Sequence, residues 1–87
     1  MHPINSIAAE FKAIGRDVTQ ITSIAVMIHE TDYLPKLIIY KKLQGWEVHT
    51  EPKRIIITFK EIEAKQLIQK LAKANYLSEQ LKFSSLL

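Results

Sequence analysis

The stretch 45–76, GWEVHTEPKRIIITFKEIEAKQLIQKLAKANY, changes its hydrophobic period from two to about 3.6 across Lys60. Residues that alternate in polarity fit a strand with one buried face, and residues that recur every three or four positions fit a helix with one buried stripe. A β-hairpin that runs directly into an amphipathic helix restricts the chain to small α+β arrangements, in which helices cover one face of an antiparallel sheet.

Within this stretch Trp46, Val48 and Thr50 alternate with Glu47, His49 and Glu51, and after Pro52-Lys53 the run 54–59 is again β-branched and aromatic. Residues 51–54 supply the turn. Thr58 and Glu61 have capping-box spacing, and Ala64, Leu67, Ile68, Leu71 and Ala74 then form one apolar stripe, which Asn75 is suited to stop. In the tail, Leu81, Phe83 and Ser85 alternate with Lys82, Ser84 and Leu86, which predicts a last edge strand, with a frayed helix as the rival reading.

Upstream, Ile4, Ile7, Ala8, Phe11 and Ile14 recur at helical steps; Pro3 suits a first turn, Asn5 or Ser6 a cap, and Gly15 an end. This short helix is expected to cover the sheet, the other reading being a partner-binding or dimerising arm. The run 21–28, ITSIAVMI, is β-branched with both faces apolar and reads as a strand buried between layers, although Val18, Ile21, Ala25 and Ile28 also fit a helical face. Thr31 and Asp32 are good N-caps and Pro35 is tolerated in a first turn, so residues 33–43 are predicted helical, stopped by Gly45. Against this, Leu37-Ile38-Ile39-Tyr40 is strand-like in composition, and a meander of strands through Leu43 is the rival reading.

In chain order the elements are helix, strand, helix, strand, strand, helix, strand. The last six match the βαββαβ pattern of a ferredoxin-like sandwich, here with an extra N-terminal helix. The alternatives are a winged helix or an α-βββ-α arrangement. A winged helix needs 21–28 to be helical and 33–43 to be a recognition helix, yet YLPKLIIYKKL offers lysines and tyrosines rather than the Arg, Asn, Gln or Ser that read base edges.

Composition narrows the classes of function. With 87 residues, 47% of them hydrophobic and 24% charged, the chain predicts a single small α+β domain over residues 1–87 rather than disorder. The absence of cysteine removes disulfides, thiolate metal sites and Cys nucleophiles together. The start, MHPINSIAAEF, lacks a basic region followed by an apolar core, and the uncharged run 18–28 falls short of the roughly 20 apolar residues of a membrane span. A soluble, cytoplasmic protein without a membrane segment is the expectation.

Chemical constellations are few. Glu47, His49 and Glu51 share one strand face, an arrangement open to a divalent ion or a general base. Three such positions extend too far along a strand to converge on one ion unaided, and the row reads as the wet side of a hairpin that buries Trp46 and Val48. His29-Glu30 with Asp32 lacks an HExxH partner, and neither a nucleophile elbow nor a glycine-rich phosphate loop is present. The chain is therefore expected to be no enzyme and to use no cofactor or metal.

The net charge is +3, and residues 36–87 carry 10 basic against 5 acidic groups. The first expectation is a small non-enzymatic protein-interaction or regulatory module, homodimeric, in contact through an exposed strand edge or the N-terminal helix. The alternative is a nucleic-acid-binding domain that uses a surface of Lys36, Lys41, Lys42, Lys53 and Arg54, with Trp46 and Tyr40 as stacking groups. The chain's two arginines disfavour that alternative, and Trp46 reads more simply as a core or interface anchor.

Overall fold

The computed structural model describes residues 2–52 and 54–73. Its elements are α1 (Pro3–Ala13), β1 (Val18–Thr22), β2 (Ala25–Ile28), β3 (Lys36–Lys42), β4 (Gly45–Glu51), β5 (Ile55–Lys60) and α2 (Ala64–Lys73). All five strands form one antiparallel sheet in the order β1-β2-β3-β4-β5. No helix of the described residues is long and apolar enough to cross a membrane.

The helix α1 forms where Ile4, Ile7 and Phe11 fall on one buried stripe. Its N-cap is His2, one turn before the expected Asn5 or Ser6: the His2 Nδ1 accepts from the Ile4 N–H at 3.1 Å, and Pro3 occupies the first helical position. Gly15, at φ +87°, ends the helix as anticipated. Its N–H donates to the Lys12 carbonyl at 3.0 Å and the Arg16 N–H to the Phe11 carbonyl at 3.0 Å, which is the paired bonding of a Schellman motif.

Three expectations change in the sheet. The run 21–28 is not one strand but a turn flanked by β1 and β2, in which Thr22 pairs with Ala25 around Ser23-Ile24 and the Thr22 Oγ1 accepts from the Ile24 N–H at 3.2 Å. Residues 33–43 are not helical, since Lys36–Lys42 is a strand paired on both sides. The capping chemistry read at Thr31 does occur, with its Oγ1 accepting from the N–H groups of Tyr33 and Leu34 at 3.2 and 3.1 Å, but it closes a turn and starts no helix. Burial explains the outcome. A helix through Leu37-Ile38-Ile39-Tyr40 would present apolar groups all round, whereas the strand buries Leu37 and Ile39 completely and turns Ile38 and Tyr40 to the other face.

Gly45 consequently has another role. It does not stop a helix but opens β4 after the two-residue Leu43-Gln44 loop, pairing with Lys42 on one side and Lys60 on the other. Its φ is +144°, and a Cβ here would collide with the Phe59 backbone oxygen, so the strand crossing demands glycine.

The strands thus follow one another in space in chain order, and the ferredoxin-like βαββαβ order is not the order of this sheet. The winged-helix alternative fails at the same point, because both segments it needs as helices are strands. The α-βββ-α alternative is nearest and lacks two strands. The capping box expected at Thr58 and Glu61 is also displaced: Thr58 lies inside β5, and the Gln66 Oε1 accepts from the Glu63 N–H at 3.0 Å just ahead of α2. The expected last strand, with Leu81, Phe83 and Ser85, and the stop at Asn75 lie outside the described residues.

Both helices pack on one side of the sheet. Ile4, Ile7 and Phe11 of α1 and Leu67 and Leu71 of α2 join Val26, Ile28, Leu37, Ile39, Trp46 and Val48 in one buried cluster. Trp46 is the largest of these side chains, and its Nε1–H donates to the Ile62 carbonyl at 3.0 Å, which ties the approach to α2 onto the sheet. Arg16 is buried behind α1 and clamps the β2–β3 connection, donating from Nη2 to the carbonyls of His29 at 3.0 Å and Pro35 at 3.4 Å.

Candidate functional site

Since the helices take the face that carries Val26, Leu37, Ile39, Trp46 and Val48, strand alternation sends the intervening side chains to the opposite face. The register lays them out in rows. One row runs Thr19, Met27, Ile38, His49, Ile56, and the next runs Ala25, Tyr40, Glu47, Thr58. Among the described residues no element lies over these rows. Ile56 is 61% exposed, and Met27, Ile38 and Tyr40 are half-buried against their neighbours alone.

Several polar groups on and beside this face pair with one another. His49 Nε2 donates to Glu47 Oε1 at 2.6 Å, and the His49 ring lies 4.9 Å from that of Tyr40. The Lys42 ammonium sits 5.2 Å from the Tyr40 ring centre, within range of a cation–π attraction. The hydrogen bond from His49 is the main cause of a lowered Glu47 pKa; desolvation opposes it, and the charges of Lys42 and His49 add to the lowering. His29 Nε2 and Thr19 Oγ1 share a hydrogen bond of 2.6 Å, and Glu30 lies 3.8 Å from Lys36. Glu47, His49 and Glu51 do point to one face, yet among the described residues no three His, Asp or Glu side chains converge as a metal site would need.

The lysine set read from the sequence is not gathered into one patch. Lys36 and Lys42 share the open face but stand at opposite ends of β3, about 20 Å apart at 3.3 Å per residue. Glu47 and Glu51 occupy the adjoining strand between those ends. Lys41 points to the helix side, where its Nζ lies 2.9 Å from Glu61 Oε2 and 5.4 Å from the Trp46 ring centre, with 13% of the side chain exposed. Arg54 is exposed beside the β4–β5 turn, at the same end as Lys36, and Lys53 lies outside the described residues. Of the expected stacking pair, Trp46 is enclosed in the core and Tyr40 alone faces outward.

Grooves also open on the surface of the described residues, two of which adjoin the residues discussed above. One of about 250 Å³ opens beside Tyr40, His49, Arg54 and Ile56. The other, of about 600 Å³, lies between α1 and the start of α2 along Ser6, Glu10, Glu61, Glu63 and Gln66. Glu61 in the latter is already engaged by Lys41.

The feature that sequence reasoning passed over is the apolar band itself. Met27, Ile38 and Ile56 belong to three different strands, and with residues 33–43 taken as a helix nothing in the order of residues brings them together. Their signal was the even spacing of outward apolar positions in strands whose inward positions are also apolar. Compared with protein-family models, with curated proteins and with solved structures, the chain matches none.

Proposed function

We propose that this chain is a non-enzymatic protein-interaction module that associates with a second copy of itself through its sheet, one side of which the helices leave open. The observation that carries the reading is the band Met27, Ile38, Tyr40 and Ile56, whose apolar groups no described element covers. In a sheet with one face in water, strands alternate apolar-in with polar-out; here apolar residues continue on the outward side, and such patches mark contact surfaces. Two polar pairs beside the band, His49 with Glu47 and His29 with Thr19, already meet each other's hydrogen bonds.

The nucleic-acid reading has less support. Phosphate contacts need a continuous basic surface, and here carboxylates stand between the lysines while Lys41 is engaged on the far side. Sedimentation or light scattering across a concentration series tests the association. A mass of twice the chain that falls to the monomer value on dilution is the expected outcome, and a strict monomer at every concentration removes the reading.

A further inference from the structure

We infer that two copies pair antiparallel along β5, with Thr58 of one chain opposite Thr58 of the other, so that the two sheets join into one. This rests on the self-association proposed above and sets its contact at the β5 edge, next to Ile56, with Met27, Ile38 and Tyr40 left on the open face. β5 is an edge strand paired only with β4 among the described residues. Its free side is regular: the segment Ile55–Phe59 contains no proline, glycine or charge, the devices that usually blunt an edge. The opposite edge, β1, carries a register shift between Gln20 and Thr22 and offers a poorer template.

Backbone direction decides which residues are available. The N–H of Ile55 donates to Thr50 Oγ1 at 3.2 Å, so Ile55 turns its backbone toward β4, and the Phe59 oxygen also lies on the β4 side, beside Gly45. By alternation Ile57 does the same, which leaves the N–H and C=O groups of Ile56, Thr58 and Lys60 directed outward. A two-fold antiparallel pairing that keeps both helix layers on the same side centres on a residue of β5, and the two centres that engage the most of Ile55–Lys60 are Ile57 and Thr58.

Centring on Ile57 sets Arg54 against the partner's Lys60 twice, a like-charge contact that opposes pairing. Centring on Thr58 removes that contact. It sets Thr58 against the partner's Thr58 and Ile57 against the partner's Phe59 on both sides of the axis, and these are the Thr–Thr and aromatic–β-branched combinations that favour cross-strand contact. Ile56, the most exposed apolar residue of the strand, then lies beside the aliphatic stem of the partner's Lys60.

The chain has no cysteine, so one introduced thiol reports one contact. Directly opposed, hydrogen-bonded residues of an antiparallel pair have Cα atoms about 5.5 Å apart, within disulfide reach. The test oxidises the full chain carrying Thr58→Cys, Ile57→Cys or Thr22→Cys, with circular dichroism to confirm folding and mass in solution measured alongside. The expected result is that Thr58→Cys converts mostly to a covalent dimer while Thr22→Cys stays monomeric on a non-reducing gel. Crosslinking of Ile57→Cys but not Thr58→Cys overturns the register. A dimer by mass in which neither β5 thiol crosslinks overturns the pairing and leaves the association standing, whereas a monomer overturns both. A chain that crosslinks only after truncation at Lys73 has its edge covered by its own residues 74–87, and that outcome also overturns the pairing.

Discussion

Gly45 shows how one residue holds two strands at their closest approach. Its backbone lies in a region that side chains avoid, and the atom that Ala would add meets the Phe59 carbonyl rather than a movable side chain. Gly45→Ala should therefore lower unfolding stability by about 2 kcal/mol or more, read as a shift of the urea midpoint with the slope unchanged. Glu47 gives a residue-scale prediction in pH. Its folded pKa is lowered, so its bond with His49 stabilises fully above the usual value of 4.5 and is lost as pH falls through the lowered value. Glu47→Gln should flatten this acid limb. Equal slopes of stability against pH for the variant and the parent, below the usual carboxylate value, would remove Glu47 as its source.

At the scale of elements, α2 is joined to the sheet by Leu67, Leu71 and the Trp46–Ile62 hydrogen bond. Trp46→Phe keeps most of the apolar bulk but leaves the Ile62 carbonyl unpaired, at a cost of about 1–3 kcal/mol. Leu71→Ala opens a cavity beneath α2 and should cost about 2–5 kcal/mol; thermal unfolding followed by circular dichroism measures both. The same elements show what was legible in the sequence. α1, the hairpin of β4 and β5, and α2 are each declared by local period together with a breaker, Gly15 in the first case and Pro52 in the second. The region 21–43 is not so declared. Its short apolar runs satisfy two periods at once, and Thr31, Asp32 and Pro35 serve a turn as well as they serve a helix start. What settled it was pairing with β4 and burial of Leu37 and Ile39, neither of which is local. The candidate site was legible only as far as β4: the Glu47, His49, Glu51 row was visible, but the band beside it needed the register of β2, β3 and β5.

For the whole molecule, two helices on one face and none described on the other make the sheet one-sided. Thr58→Lys bears on the proposed pairing at this scale, because it alters an exposed side chain while leaving the hydrogen bonds between β4 and β5 in place. It should bring two ammonium groups together across the two-fold axis and return the protein to a monomer with its circular dichroism unchanged. The salt dependence of any residual association distinguishes this repulsion from lost packing, since only the former is screened. The irregular edge of β1 gains a different meaning once two sheets are joined through β5. In the proposed pairing a doubled sheet would end on both sides in a bulged strand, each a poor seed for a further copy, so the expected assembly stops at two chains. One shift of register between Gln20 and Thr22 would thus be what separates a discrete particle from a growing fibre.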